Sequence, residues 1–166
     1  MRVKELKYHN PTTDFITMIA DLSNFEGINK VIFELKELIQ REVDICMIVN
    51  NVGIFRDGPY FKIDPKQIVA STTCNFICQY SINKELIPFL KQREKRSAII
   101  NMASASGVHF CPYIGVYSST KHLSDVYSRT LAAENSKKID ILSVRPFGVR
   151  TPLMKMMQGE FIITPK

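Results

Sequence analysis

Three side chains in the second half of the chain have the types and spacing for proton transfer: Ser104, Tyr117 and Lys121. Tyr117 and Lys121 stand four apart in Tyr-Ser-Ser-Thr-Lys. Residues i and i+4 share one helix face, so a phenol and an ammonium can point into one cleft. A free phenol has a pKa near ~10, and a nearby cation favours its anion. Such a pair suits a proton donor or acceptor working near neutral pH. Ser104 follows the apolar run 98–103, which reads as a buried strand, so its hydroxyl falls at a strand end. The Tyr-x-x-x-Lys spacing is not distinctive alone, since Tyr80 and Lys84 repeat it. Tyr80 lacks the strand-end serine and the following strand that frame Tyr117, and reads as a core or interface tyrosine.

The elements that must position these groups alternate between strand and helix, the pattern of a parallel α/β sheet. Residues 14–20 read as a strand ending at Asp21. Residues 24–41 read as an amphipathic helix, with Ile28, Val31, Ile32, Leu35, Leu38 and Ile39 on one side. Residues 44–50 form the next strand, 65–91 a long helix and 97–103 a strand. A helix over 114–136 and a strand over 139–145 follow, and Pro146 ends the strand because it cannot donate to a ladder. The apolar stripe of 65–91 is wide enough to be covered on two sides.

The segments flanking the three residues carry a more specific signal than the residues alone. Asn50-Asn51-Val52-Gly53 closes the strand 44–50, Asn75 lies in the next helix, and Pro146-Phe147-Gly148-Val149-Arg150-Thr151 follows the last strand. In this order they resemble the short-chain dehydrogenase/reductase family over roughly residues 14–155. Within that family the chain is most similar to the branch of very-long-chain 3-oxoacyl-CoA reductases and 17-beta-hydroxysteroid dehydrogenases. The resemblance implies a Rossmann-like three-layer sandwich with a parallel sheet, present as a single partial domain over residues 1–166. The family's first two strands and last strand have no counterpart, and residues 156–166 read as a flexible tail. None of the seven glycines is spaced as Gly-x-Gly, so the glycine-rich turn that carries a pyrophosphate in such folds is not found. In the sheet order of such folds, strand 14–20 would not touch strand 44–50. It is expected to detach, to slide in beside 44–50, or to be completed by another chain.

The resemblance also implies roles. Tyr117 would give its proton to a developing alkoxide, and Ser104 would hold the substrate oxygen. Lys121 would lower the phenol's pKa and bind a nicotinamide ribose, while Asn75 would hold a water linking Lys121 to solvent. Asp21, Asn50, Gly53, Pro146, Val149 and Thr151, together with Tyr117 and Lys121, are the implied contacts of NADP or NAD, and no metal is implied. Blander roles stand beside these. Asp21 could cap the helix 24–41, Asn75 could be a solvent-facing helix residue, and Ser104 could open a turn through Ala105-Ser106-Gly107. Thr151 could cap a helix at Pro152. Phe147 stands where the family usually has glycine.

Composition is that of a globular chain, with 45% apolar and 23% charged residues. No run approaches the ~18 apolar residues of a membrane span, and the N-terminus lacks a signal-peptide core. Cys46, Cys74, Cys78 and Cys111 show no metal or disulfide spacing, which fits an intracellular, reducing compartment. Association with the endoplasmic reticulum is implied by the resemblance alone. The net charge of +6 is spread along the chain without a basic reading element, so nucleic acid is not an expected partner. The expected partners are a lipid-like substrate and a second copy, paired through helices 65–91 and 114–136. The function expected is hydride transfer between NAD(P)H and a carbonyl or secondary alcohol. The alternative is an inert homologue serving as a structural or interaction subunit.

Overall fold

The computed structural model describes residues 2–149. Three parallel strands, β1 (Met47–Asn50), β2 (Ser97–Met102) and β3 (Ile139–Val144), form one sheet in the order β1-β2-β3. Met47 pairs with Ala98 and Asn50 with Asn101; Ser97 pairs with Ile139 and Met102 with Val144. Helices α1 (Arg2–His9), α2 (Phe25–Gln40), α3 (Pro65–Thr72), α4 (Cys78–Gln92) and α5 (Gly115–Asn135) complete the described elements.

Strand side chains alternate between faces, and here the alternation separates a covered face from a bare one. Ile48, Ile99 and Ile139 point toward α2, α4 and α5, where Ile28, Ile82, Leu86 and Leu90 meet them. Burying an aliphatic side chain of this size stabilises by roughly 1.5–3 kcal/mol, so this layer is the core. Residues of the opposite parity, Met47, Val49 and Leu142, are each more than half exposed. Among the described residues, therefore, helices cover one face of the sheet.

The helices follow their sequence signals closely. Asn24 caps α2 by accepting the Gly27 N–H at 2.9 Å, and Val31, Ile32, Leu35 and Ile39 pack on the Ile28 cluster. Asp64 caps α3, with Pro65 at the first helical position. The helix read over 65–91 is one rod with a π-helical turn at Thr73–Ile77 between α3 and α4. Such turns widen the helix by one residue and are frequent at functional sites.

The strand expected over 14–20 is absent. These residues form no ladder and leave Ile16 and Ile19 exposed; Lys30 Nζ holds the Ile19 carbonyl at 2.9 Å. A strand persists only where a neighbour accepts its backbone bonds, and among the described residues the sole sheet neighbour of β1 is β2. Of the three expected outcomes, sliding in beside 44–50 is the one the sheet overturns, since 14–20 form no ladder with β1. The strand over 44–50 shortens to Met47–Asn50, although Cys46 still accepts from the Ala98 N–H. Helix α1 has no counterpart among the sequence expectations. Thr151 and the tail at 156–166 lie outside the described residues.

Candidate active site

Strand ends and helix starts converge at the carboxyl edge of the sheet, where open α/β folds place their ligands. A cleft of about 470 Å³ opens there, lined by Ser104, Tyr117 and Lys121, by Gly53 and Phe55 from the loop after β1, and by Pro146–Val149 after β3. The catalytic trio read from the sequence therefore meets in one place. Ser104 follows β2, and its Oγ accepts from the Ser106 N–H at 3.2 Å and the Ser106 hydroxyl at 3.0 Å. The expected turn is a single 3-10 turn, Ala105–Gly107. Opening this turn and lining the cleft are compatible roles for one serine.

Tyr117 stands in the first turn of α5, with Phe55 packed edge-on at 5.0 Å between ring centroids. Burial raises its phenol above the ordinary range, and a hydrogen bond with Ser104 pulls the other way. Lys121 is 4% exposed and donates to the Met102 carbonyl at 2.6 Å. Burial penalises its charge and brings its pKa down to about 8. The expectation that Lys121 lowers the phenol's pKa is not met in this geometry. The ammonium lies 5.6 Å from the Tyr117 ring centroid and is turned to the Met102 carbonyl, so desolvation dominates at the phenol.

Asn75 is 2% exposed and sits in the π-helical turn, which removes the solvent-facing role. Its Oδ1 accepts the Ile54 N–H at 2.7 Å, and its Nδ2 donates to the Ile54 carbonyl at 2.9 Å and to Thr120 Oγ1 at 3.1 Å. Asn75 thus grips the loop after β1 as a strand neighbour would.

The expected cofactor contacts divide. Gly53, Tyr117, Lys121, Pro146 and Val149 line the cleft. Asn50 does not: its Nδ2 donates to Asn83 Oδ1 at 2.9 Å and Asn101 Oδ1 at 2.8 Å, beneath the sheet. Asp21 also lies away from the cleft lining. Nor does it cap α2, a place Asn24 takes. Instead it accepts the Ser23 N–H and hydroxyl at 2.9 and 2.7 Å, which hold its carboxyl below the usual range. Phe147 lines the cleft and faces His109, with ring centroids 6.4 Å apart.

Gly107 was legible in sequence only as a turn residue. A β-carbon there would sit 2.8 Å from the His122 nitrogen and 2.8 Å from the Lys121 carbonyl carbon. Glycine is needed because the turn after Ser104 lies directly on the α5 backbone at Lys121. A nicotinamide group fits the donor set. Gly53 keeps the floor open beside Lys121, where a β-carbon would come within 3.7 Å of Nζ. Lys121 has three donors and spends one on Met102.

A family model described as short chain dehydrogenase matches residues 2–160. The very-long-chain 3-oxoacyl-CoA reductase-B of Danio rerio is 36% identical over 121 residues, 69% of this chain and 38% of that protein. The dehydrogenase/reductase SDR family member 7B of Xenopus tropicalis is 31% identical over 156 residues, 92% of this chain and 47% of its own length. The chain thus spans less than half the length of these curated relatives. Among solved structures, the bulky-bulky ketone specific alcohol dehydrogenase of Comamonas testosteroni superposes with a TM-score of 0.83 at 20% identity, covering 97% of this chain and 61% of that one. A gluconate 5-dehydrogenase from Burkholderia cenocepacia, solved with NADP and tartrate, gives 0.78 at 20% identity, with 91% and 58% covered. Sheet, cleft and matched length agree: the chain belongs to the short-chain dehydrogenase family.

Proposed function

We propose that this chain carries the proton-transfer half of an NAD(P)H-dependent reductase acting on the carbonyl of a lipid-like substrate, of the 3-oxoacyl-thioester class. The observation that carries the reading is the meeting of Ser104, Tyr117 and Lys121 in one cleft whose remaining walls are largely apolar side chains, among them Phe55, Ile114 and Phe147. A nicotinamide supplies the hydride when bound, and Gly53 and Lys121 would hold it, with Pro146 and Val149 opposite. Ser104 orients the substrate oxygen by a hydrogen bond. Tyr117, kept protonated by burial, gives its proton to that oxygen as negative charge develops there. Lys121, with one donor on the Met102 carbonyl, keeps two donors for the nicotinamide ribose. Similarity to the Danio rerio very-long-chain 3-oxoacyl-CoA reductase-B supports the thioester substrate, and the NADP complex of the Burkholderia structure supports the cofactor class. Thr151 is retained as a proposed carboxamide contact, and Asp21 as a proposed adenine contact.

A second copy is proposed to pack on the 65–91 rod and α5, where Phe76 of the π-helical turn, Tyr80 of α4 and Tyr127 of α5 form an aromatic cluster with centroids 5.4–6.3 Å apart and Tyr80 is 45% exposed. The deciding experiment is NADPH and NADH titration of the purified chain, followed by turnover of a 3-oxoacyl-CoA. Binding in the micromolar range is expected, with turnover abolished by Tyr117→Phe while the unfolding midpoint stays in place. An absence of binding at millimolar cofactor would favour the inert, interaction-subunit alternative.

A further inference from the structure

We propose that Thr120 is a positioning residue, which ties the Asn75 side-chain amide to α5 so that the amide oxygen stays turned toward Gly53 and Lys121. The inference deepens the reading of Lys121 given above and rests on it. Thr120 lies between Tyr117 and Lys121 on α5 and is 2% exposed. Its hydroxyl donates to the Tyr117 carbonyl at 2.7 Å and accepts from Asn75 Nδ2 at 3.1 Å. The direction of the second bond follows from the neighbours. The Ile54 N–H must face the amide oxygen and the Ile54 carbonyl must face the amide nitrogen. The remaining Nδ2 hydrogen is therefore the one that meets Thr120, and the threonine proton goes to Tyr117.

The consequence reaches the site through Gly53. A β-carbon placed on Gly53 would lie 3.5 Å from Asn75 Oδ1 and 3.7 Å from Lys121 Nζ, so oxygen and ammonium face the same small space. Both hydrogens of the amide are spent, while Oδ1 keeps a second lone pair. That lone pair is an acceptor for the ammonium or for a water between them. Two bonds to Ile54 set which way up the amide sits. The bond to Thr120 joins it to the helix bearing Tyr117 and Lys121, so loop, amide and helix keep one register. Among the described residues, the titratable groups beside Lys121 are Tyr117 on its own helix and Cys74 in the π-helical turn.

The test compares Thr120→Val, which keeps the shape and loses both bonds, with Thr120→Ser, which keeps both. The readout is the titration of Lys121 followed by the 13Cε shift of labelled lysine, which needs no turnover. In Thr120→Val the midpoint is expected to fall by about half a pH unit, as an acceptor leaves the ammonium, and Thr120→Ser is expected to restore it. A merely structural threonine would lower the unfolding temperature and leave that midpoint unmoved, which would overturn the proposal. Should Thr120→Val fail to fold, the unsubstituted chain still decides. Both Asn75 Nδ2 hydrogens are expected to be protected from solvent exchange, and exchange at the rate of a free amide would overturn the assignment. Turnover of the unsubstituted chain is measured in parallel, so that failure of the reductase reading registers separately from an unmoved lysine.

Discussion

Burial of Lys121 gives the stability of the chain a pH dependence of definite sign. The lysine's folded pKa of about 8 lies below the unfolded value of 10.5. Below pH 8 both states carry the proton, and the full cost of burying the charge is present. Between pH 8 and 10.5 the unfolded state holds more proton than the folded one, so this group makes stability rise with pH. The rise is at most about 3 kcal/mol. Tyr117, raised by burial, acts in the opposite sense only above pH ~10. Urea midpoints at pH 7, 8, 9 and 10 are expected to climb more steeply for the unsubstituted chain than for Lys121→Met. Parallel profiles would show that the lysine is not desolvated. The atoms a β-carbon at Gly107 would strike are α5 backbone, which cannot swing aside, so Gly107→Ala is expected to cost about 1–3 kcal/mol and to lower turnover by moving Ser104 relative to Tyr117. Retained stability and full activity would show that the turn can lift from the helix freely.

Elements are joined beneath the sheet by polar side chains rather than by aliphatic packing alone. Asn50 on β1 donates to Asn83 on α4 and to Asn101 on β2; Asn101 Nδ2 donates to Ser128 on α5 at 2.9 Å. Asn83, Asn101 and Ser128 are fully buried. A network satisfied in this way fixes register, and removing one member strands the others. Asn101→Leu is expected to cost about 2–4 kcal/mol, since it leaves Asn50 and Ser128 short of partners. Denaturant unfolding checks this, and a neutral effect would mean that water replaces the lost bonds. Sequence pattern located α2, the 65–91 rod and α5 within a residue or two; α2 and the start of the rod have readable caps at Asn24 and Asp64, whereas α5 buries mostly polar side chains and has none. The pattern could not reveal the π-helical turn, since one extra residue in a helical run leaves the composition unchanged. The strand at 14–20 misled for a related reason. A short run rich in apolar residues describes a segment able to pair, while pairing depends on a neighbour.

At the scale of the molecule, the sheet has one clothed face and, among the described residues, one bare one. Val49 is 54% exposed and Leu142 55%, on the same face as Met47. Contiguous apolar surface of this kind promotes association, as do unpaired sheet edges. The isolated chain is therefore expected to bind the dye ANS and to sediment as concentration-dependent species. A Val49→Lys, Leu142→Lys double variant is expected to reduce both. Unchanged sedimentation would shift attention to the Phe76, Tyr80 and Tyr127 cluster on the opposite side.

From residue types and order alone, the chain could be assigned its family and its parallel sheet, and Ser104, Tyr117 and Lys121 could be singled out as candidates for proton transfer. Those properties are local: a strand-end serine, an i to i+4 pair and apolar periodicity are all written in consecutive residues. The trio's convergence in one cleft, the burial that moves Lys121 to about 8 and the departure of Asn50 from the cleft to a buried network were not written there. Nor was the demand for glycine at 107. Each depends on which segments lie against one another across tens of residues. Desolvation, hydrogen-bond partners and steric contact are properties of those meetings.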